Sequence, residues 1–126
     1  MLGSADLVAF VATRDLEAAA AFYGPILRLP LVEADGFARV YDANGTQLRV
    51  TLVESLAQAP YTVLGWRVQD IAETTAELRV AGVEFKRYDG MDHDENGVWV
   101  APGGTRVAWF ADPDGNTLSL QQEPGS

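Results

Sequence analysis

The chain has 126 residues, 48% of them hydrophobic and 21% charged, and nine basic against eighteen acidic side chains give it a net charge of −9. That length and composition predict one ordinary globular domain. The negative charge disfavours nucleic acid as a partner, and the absence of cysteine excludes disulfides, a thiolate nucleophile and zinc–cysteine sites.

Neither a membrane span nor a signal peptide is expected. No apolar run reaches the roughly 20 residues that cross a bilayer. The first ten residues, MLGSADLVAF, lack the basic region of a signal peptide. The sequence therefore predicts a protein without a membrane partner and with a cytoplasmic location.

The first half of the chain predicts a strand, a helix and three further strands. Residues 7–12 form a short apolar run that is typical of a buried strand, and Thr13 or Asp15 caps an alanine-rich helix over residues 16–23. Gly24-Pro25 limits this helix and leaves room for a last irregular turn. The three strands are expected over residues 29–33, 37–42 and 47–53.

The same order of elements returns in the second half. A strand is expected over residues 62–68, followed by a helix from its cap Asp70 to Gly82 and a strand over residues 83–88. A hairpin closes the half, because Asp112-Pro113-Asp114-Gly115-Asn116 separates two strand-like runs. Proline presets φ in such a turn, glycine supplies a positive φ, and Asp and Asn bond back to the backbone.

Matching segments set the register of the two repeats. Asp15 corresponds to Asp70, and the turn that begins at Asp42 corresponds to the one that begins at Asp112. The repeats cover about residues 5–54 and 61–122 of a single domain (1–126), and the second carries an insertion over about residues 89–104. One βαβββ module leaves a sheet face bare. The expected fold is therefore α+β, with paired βαβββ modules forming a curved, mostly antiparallel eight-stranded sheet around a cavity.

These segments resemble the vicinal oxygen chelate superfamily, which comprises glyoxalase I, bleomycin-resistance proteins, fosfomycin-resistance proteins and extradiol dioxygenases. The resemblance spans nearly the whole chain, and it implies the paired fold together with a homodimer, since family members commonly dimerise. The segments that carry it are Asp15-Leu16 leading to Phe22-Tyr23, Val68-Gln69-Asp70-Ile71 leading to Gly82-Val83, and Asp112-Pro113-Asp114-Gly115-Asn116.

The resemblance also implies where a metal would bind. Family enzymes hold a divalent metal through two residues in each half, typically His or Gln before the helix cap and Glu or His after the hairpin glycine. In this chain the four positions are Val8, Val63, Arg49 and Ser119. Aliphatic side chains, a guanidinium and a neutral hydroxyl are poor ligands for zinc, nickel, iron or manganese. We therefore expect neither metal nor cofactor.

Aromatic and polar residues are the candidates for the wall of the expected cavity. Phe10 shares a strand face with Val8, and Arg49 would anchor a carboxylate or enolate oxygen unless it forms a salt bridge with an acidic neighbour. For each aromatic residue the alternative is ordinary core packing. The other predicted ligand-binding residues are Trp66, Met91, Trp99 and Ser119, with Tyr88 and Trp109 as further wall candidates.

The insertion contains the chain's single histidine, His93, in the string Asp92-His93-Asp94-Glu95-Asn96-Gly97. The string resembles the start of a calcium loop, but the closing glutamate falls at Gly103, so a solvated acidic loop is expected instead. The alternative is a lid over the cavity, in which His93, Tyr88 or Asp92 acts as an acid or base.

Three functions remain open. The leading interpretation is a protein that has lost the family's metal ligands and binds a small organic molecule, in a sequestration or resistance-type role. The alternative is an enzyme, either a glyoxalase-like lyase or isomerase or a metal-free catalyst of proton transfer in which Arg49 stabilises an oxyanion. The third is an interaction module whose cavity is filled by side chains.

Overall fold

Each sequence repeat forms a mixed four-stranded sheet with one helix, so the fold is α+β as predicted. The computed structural model of the protein describes residues 1–125. These residues divide into two compact units, with the boundary between Ala57 and Gln58. The boundary lies in the segment between the two repeats.

The first unit has the strand order β1-β4-β3-β2. Strands β1 and β4 are parallel, whereas the β4–β3 and β3–β2 pairs are antiparallel. A single 3-10 turn, Leu2–Ser4, precedes the sheet. The elements are β1 (Val8–Thr13), α1 (Leu16–Ala21), β2 (Leu31–Ala34), β3 (Ala38–Ala43) and β4 (Thr46–Leu52).

The second unit repeats this arrangement with the order β5-β8-β7-β6. Again the first pair is parallel and the other two pairs are antiparallel. The eight strands thus hydrogen-bond as two sheets of four, one in each repeat. The elements are β5 (Leu64–Arg67), α2 (Ile71–Val80), β6 (Trp99–Val100), β7 (Arg106–Ala111) and β8 (Thr117–Gln122).

The predicted caps begin both helices. The Asp15 carboxylate accepts from the backbone N–H groups of Glu17 and Ala18 at 3.0 and 3.1 Å. The Asp70 carboxylate accepts from the N–H of Glu73 at 3.1 Å. Such caps satisfy donors that the first turn of a helix leaves unpaired. After α1 the chain makes the irregular last turn that Gly24-Pro25 predicted, a π-helical turn over Phe22–Ile26.

One face of each sheet is buried against its helix. In the first unit this face carries Val11, Tyr41, Leu48 and Val50, and the ring of Tyr23 lies 6.2 Å from that of Tyr41. In the second unit it carries Ala108, Phe110, Leu118 and Leu120, which α2 covers with Ile71 and Leu78. Complete burial of each large apolar side chain contributes about 1.5–3 kcal/mol. The helices therefore leave the opposite face of each sheet available for a site.

The strand predicted over residues 83–88 is wrong as a continuous strand. Only Phe85 bridges to Phe110, and the N–H of Lys86 donates to the carbonyl of Trp109 at 2.7 Å. The chain then leaves the sheet and returns as β6, which pairs with the other end of β7. The predicted insertion thus supplies the edge strand β6, and residues 87–98, here named the excursion, interrupt the edge of the sheet.

The turn between β7 and β8 is held by the carboxylate of Asp112. Its Oδ1 accepts from the N–H groups of Asp114 and Asn116, both at 2.9 Å, and its Oδ2 from Nδ2 of Asn116 at 2.8 Å. Gly115 has φ of +85°, which favours glycine. The predicted hairpin is confirmed.

Within residues 1–125, no helix has both the length and the apolar character that crossing a membrane requires.

Candidate ligand-binding site

The open face of the first sheet brings Phe10 and Arg49 side by side. Phe10 pairs with Arg49 across the parallel β1–β4 ladder, and Arg49 pairs in turn with Val40. Partners in register point to the same face of a sheet. Phe10 and Arg49, each predicted from the sequence to line the cavity, therefore belong to one surface, on the side of the sheet that α1 leaves open.

This surface forms an open cleft of about 550 Å³ within the first unit. The cleft is mainly apolar, and Arg49 is the charged residue in its wall. Phe10 is 59% exposed, which is unusual for a phenylalanine in a strand and makes its ring available for stacking. The lining residues are Phe10, Val11, Ala12, Arg49 and Thr51.

Arg49 is half-buried, and no hydrogen bond or ion pair of its guanidinium is found among residues 1–125. The alternative expected for it, a salt bridge to an acidic neighbour, is therefore absent from the described chain. Five N–H donors of a guanidinium in an apolar cleft fit a carboxylate or another planar oxyanion. The structure therefore places the cation of Arg49 beside the aromatic ring of Phe10.

Asp35 is an acidic group that interacts electrostatically with Arg49 without a direct contact. The backbone N–H groups of Phe37 and Ala38 donate to its Oδ1 at 2.7 and 2.9 Å. These bonds, helped by the positive charges of Arg49 and Arg39, hold the pKa of Asp35 below its usual 3.8. Asp35 is exposed, so it leaves the charge of Arg49 largely uncompensated.

The corresponding face of the second sheet carries an aromatic cluster around Trp109. The ring of Tyr88 lies 5.4 Å from that of Trp109 in an edge-to-face arrangement, and the rings of Trp99 and His93 lie 6.0 and 6.1 Å away. Ser119 pairs with Trp109 across the β7–β8 ladder and so shares this face. The structure thus brings together Tyr88, His93, Trp99, Trp109 and Ser119, which the sequence had suggested separately.

His93 has both ring nitrogens in hydrogen bonds with the backbone. Nε2 accepts from the N–H of Tyr88 at 3.0 Å, and Nδ1 lies 2.9 Å from the carbonyl oxygen of Gly97. A backbone N–H can only donate, so Nε2 is the accepting nitrogen and Nδ1 the one that faces the carbonyl of Gly97. The ring keeps no free nitrogen for proton transfer in this conformation, which is typical of a structural histidine.

The acidic segment around His93 forms a local hydrogen-bonded turn. Asp94 Oδ1 accepts from the N–H groups of Asn96 and Val98 at 2.8 and 2.9 Å, so this carboxylate serves a local turn. Asp92 is exposed and Met91 is half-buried in the same segment. The backbone N–H of Met91 donates to the carbonyl oxygen of Tyr88 at 3.2 Å, so Met91 adjoins the aromatic cluster through the main chain. The local turn at Asp94 explains the calcium-loop pattern.

Trp66 and Lys86 depart from the sequence interpretation. Trp66 pairs with Leu120, which pairs with Ala108, and these residues belong to the face that α2 covers. Trp66 is therefore not on the surface of Ser119. Lys86, which the sequence interpretation missed, donates from Nζ to Oγ1 of Thr117 at 2.9 Å. Alternation along residues 84–87 is compatible with this orientation of Lys86, but only the isolated bridge between Phe85 and Phe110 fixes it.

The residues at the four positions where the resemblance implies metal ligands are chemically unsuited to a divalent metal. Val8 and Val63 are about two-fifths exposed aliphatic side chains, and Ser119 is buried. No group of three or more His, Cys, Asp or Glu side chains in residues 1–125 is placed to hold a metal ion. Arg49, the remaining position, brings a positive charge of its own.

The geometry defines an α+β protein of paired βαβββ modules, each with a sheet face that its helix leaves uncovered. A model of the Glyoxalase/Bleomycin resistance protein/Dioxygenase superfamily matches residues 5–120, and the chain belongs to this superfamily. The expected relationship to the vicinal oxygen chelate proteins is confirmed. No curated protein matches the chain.

Solved structures share this fold at low sequence identity. The fosfomycin resistance protein FosX from Listeria monocytogenes has a TM-score of 0.75 at 18% identity, covering 97% of this chain and 95% of that one. A glyoxalase/bleomycin resistance protein/dioxygenase from Alicyclobacillus acidocaldarius has a TM-score of 0.72 at 19% identity, with 96% and 92% covered. A bleomycin-binding protein complexed with bleomycin has a TM-score of 0.72 at 21% identity, with 95% and 99% covered.

Proposed function

We propose that the protein binds a small organic molecule, with an aromatic ring and an anionic group, in the cleft beside Phe10 and Arg49. The observation that carries the proposal is the placement of an uncompensated guanidinium next to an exposed phenyl ring in a cleft of about 550 Å³. Ligand pockets usually have volumes of roughly 300–1,000 Å³, apolar walls and a few placed polar groups. This cleft has those properties.

The positive charge of Arg49 is the reason to expect an anionic ligand. A guanidinium donates two parallel hydrogen bonds to a carboxylate, and such charge-assisted bonds are about twice as strong as neutral ones. Phe10, at the adjoining position in the ladder, provides a face on which an aromatic ring stacks. A cationic ligand is disfavoured here because it would meet the positive charge of Arg49.

Binding in this proposal is independent of metal. A positive charge at one of the family's ligand positions repels a divalent cation, and the aliphatic residues at two others offer it no electron pair. The role we propose is sequestration, as in resistance-type proteins. The similar bleomycin-binding protein supports this role because its structure holds an organic molecule on the same fold.

We further propose that the protein acts in the cytoplasm as a homodimer. Its first unit exposes several large apolar side chains, which a partner surface would cover. They are Leu7, Leu31, Val32 and Phe37.

The test is calorimetric titration of 1-naphthoate into wild-type protein and three variants. Arg49→Met loses the charge-assisted pair, worth about 1.5–3 kcal/mol, and should weaken binding by roughly 10–150-fold. Phe10→Ala should weaken it by about 3–10-fold through lost stacking. Arg39→Met is the control, since Arg39 pairs with Val50 on the opposite face of the same sheet. Equal affinities of Arg49→Met and Arg39→Met for 1-naphthoate would contradict the proposal.

A further inference from the structure

A second cleft lies within the second unit, between the end of α2 and the excursion, and has a volume of about 520 Å³. It contains two cations and two anions. Arg79 comes from the last turn of α2 and Glu84 from the segment after it, whereas Arg87 and Glu95 come from the excursion. All four side chains are exposed to solvent.

Both guanidinium groups are fixed by neutral oxygens. Arg79 donates from Nη1 to Oδ1 of Asn96 at 2.7 Å, and Arg87 donates from Nη2 to the carbonyl oxygen of Glu95 at 3.1 Å. Each bond uses one of the five N–H donors of its guanidinium. These contacts orient the two groups without neutralising them, and donors remain for a ligand.

The excursion packs closely against Phe85 at one wall of the cleft. Gly97 has φ of +86°, and a Cβ at this residue would lie 2.8 Å from Cβ of Phe85, so the backbone of the excursion rests directly on that side chain. Gly82 ends α2 with φ of +99° and turns the chain towards Glu84. The excursion that carries Arg87 and Glu95 is therefore packed against Phe85, which itself lines the cleft.

We propose that this cleft binds a small zwitterion of the amino acid or short-peptide class. Arg79 and Arg87 would take its carboxylate, and Glu84 and Glu95 its ammonium group. A simple anion meets two carboxylates and a chain of net charge −9, while a simple cation meets two guanidinium groups. A ligand that carries both charges satisfies both pairs.

Occupation of the cleft has a consequence for the aromatic cluster. Asn96 and Glu95 belong to the excursion, and the same excursion carries His93, whose ring packs 6.1 Å from that of Trp109. A ligand held between α2 and the excursion restrains this segment against the sheet. Binding is therefore expected to change the emission of Trp109, although the ligand does not touch that ring.

The test is titration of glycylglycine into ¹⁵N-labelled protein, followed through the side-chain signals of Arg79, Arg87 and Asn96. Saturable shifts are expected, together with a change in tryptophan emission that has the same midpoint. Arg79→Met and Arg87→Met should each weaken binding about tenfold or more. Arg106→Met, an exposed arginine outside the cleft, is the matched control and should bind like wild type.

Separate probes test the zwitterion assignment. Acetate and ethylamine each carry one of the two charges, and both should bind much more weakly than glycylglycine. Acetate that binds as tightly as glycylglycine would overturn the assignment. So would the absence of a saturable change at about 10 mM glycylglycine, where a site of millimolar affinity is mostly filled. Arg49→Met should leave this titration unchanged, so the outcome is independent of the proposed function.

Discussion

The carboxylate of Asp112 is predicted to be a major source of stability in the second unit. It is 6% exposed, and its hydrogen-bond donors include two backbone N–H groups and the side-chain amide of Asn116. In Asp112→Ala these donors lose their acceptor together. The N–H and the amide of Asn116, which is 7% exposed, are poorly placed to find water instead.

The expected loss follows from the number of buried donors. Each buried polar group left without a partner costs about 1–3 kcal/mol, and the exposed part of the turn recovers some of this from solvent. Asp112→Ala should therefore destabilise the protein by roughly 3–4 kcal/mol, or about 10–15 °C in melting temperature for a chain of this length. Asp112→Asn keeps an acceptor oxygen for the two backbone N–H groups and should cost only about half as much.

The first repeat provides a matched control. Asp42 begins the corresponding turn, but its carboxylate is exposed and accepts one backbone bond, from Gly45 at 2.7 Å. Asp42→Ala should cost only about 0.5–1.5 kcal/mol. Urea unfolding followed by far-UV circular dichroism is a suitable assay, since each unit contains one helix and four strands and the signal therefore reports both variants. Equal destabilisation by the two alanine variants would refute the reasoning.

Three further predictions concern single residues. Gly115→Ala should cost about 1–3 kcal/mol in urea unfolding, because its φ is +85° and its Cβ would displace the Gln58 amide, whereas Gly36→Ala, which has open space around it, should stay within about 0.5 kcal/mol. His93→Ala removes two backbone bonds, so it should shift tryptophan emission and lower stability by about 1–2 kcal/mol; unchanged emission would contradict its packing on the cluster. The lowered pKa of Asp35 stabilises the fold above the unfolded pKa of 3.8, and this contribution is lost as pH falls through the lower folded value. Stability measured against pH should therefore converge for wild type and Asp35→Asn in acid; a constant difference would exclude the linkage.

The elements with local chemical signals were predictable from the sequence. Asp15, Asp70 and Asp112 each bond backbone N–H groups within four residues, so their effect is set by neighbours in the chain. The irregular turn after α1 was likewise evident from Gly24-Pro25. Because these signals recur at corresponding positions of the two halves, they were enough to indicate the paired βαβββ fold.

Features that depend on contacts between residues far apart in the sequence were harder to predict. Phe85 and Trp99 both pair with β7, whereas the residues between them leave the sheet. No local sequence pattern indicates where the chain leaves and rejoins β7. Trp66 lies on the covered face because of its register with Leu120, and Lys86 reaches Thr117 for the same kind of reason. Phe10 and Arg49 were each assigned to the cavity face by the alternation of side chains along their strands, but their pairing across the β1–β4 ladder appears only in the structure. Their role in binding stays a prediction.

The most direct test of metal-independent binding is the calorimetric affinity of metal-analysed protein for 1-naphthoate, measured in EDTA and again with added Zn²⁺ or Ni²⁺. The account predicts the same affinity in all three solutions, with no heat from either metal alone, because Arg49 provides the positive charge in the cleft. Binding of 1-naphthoate that disappears in EDTA and returns with a stoichiometric divalent ion would contradict the account, since a metal would then hold the ligand.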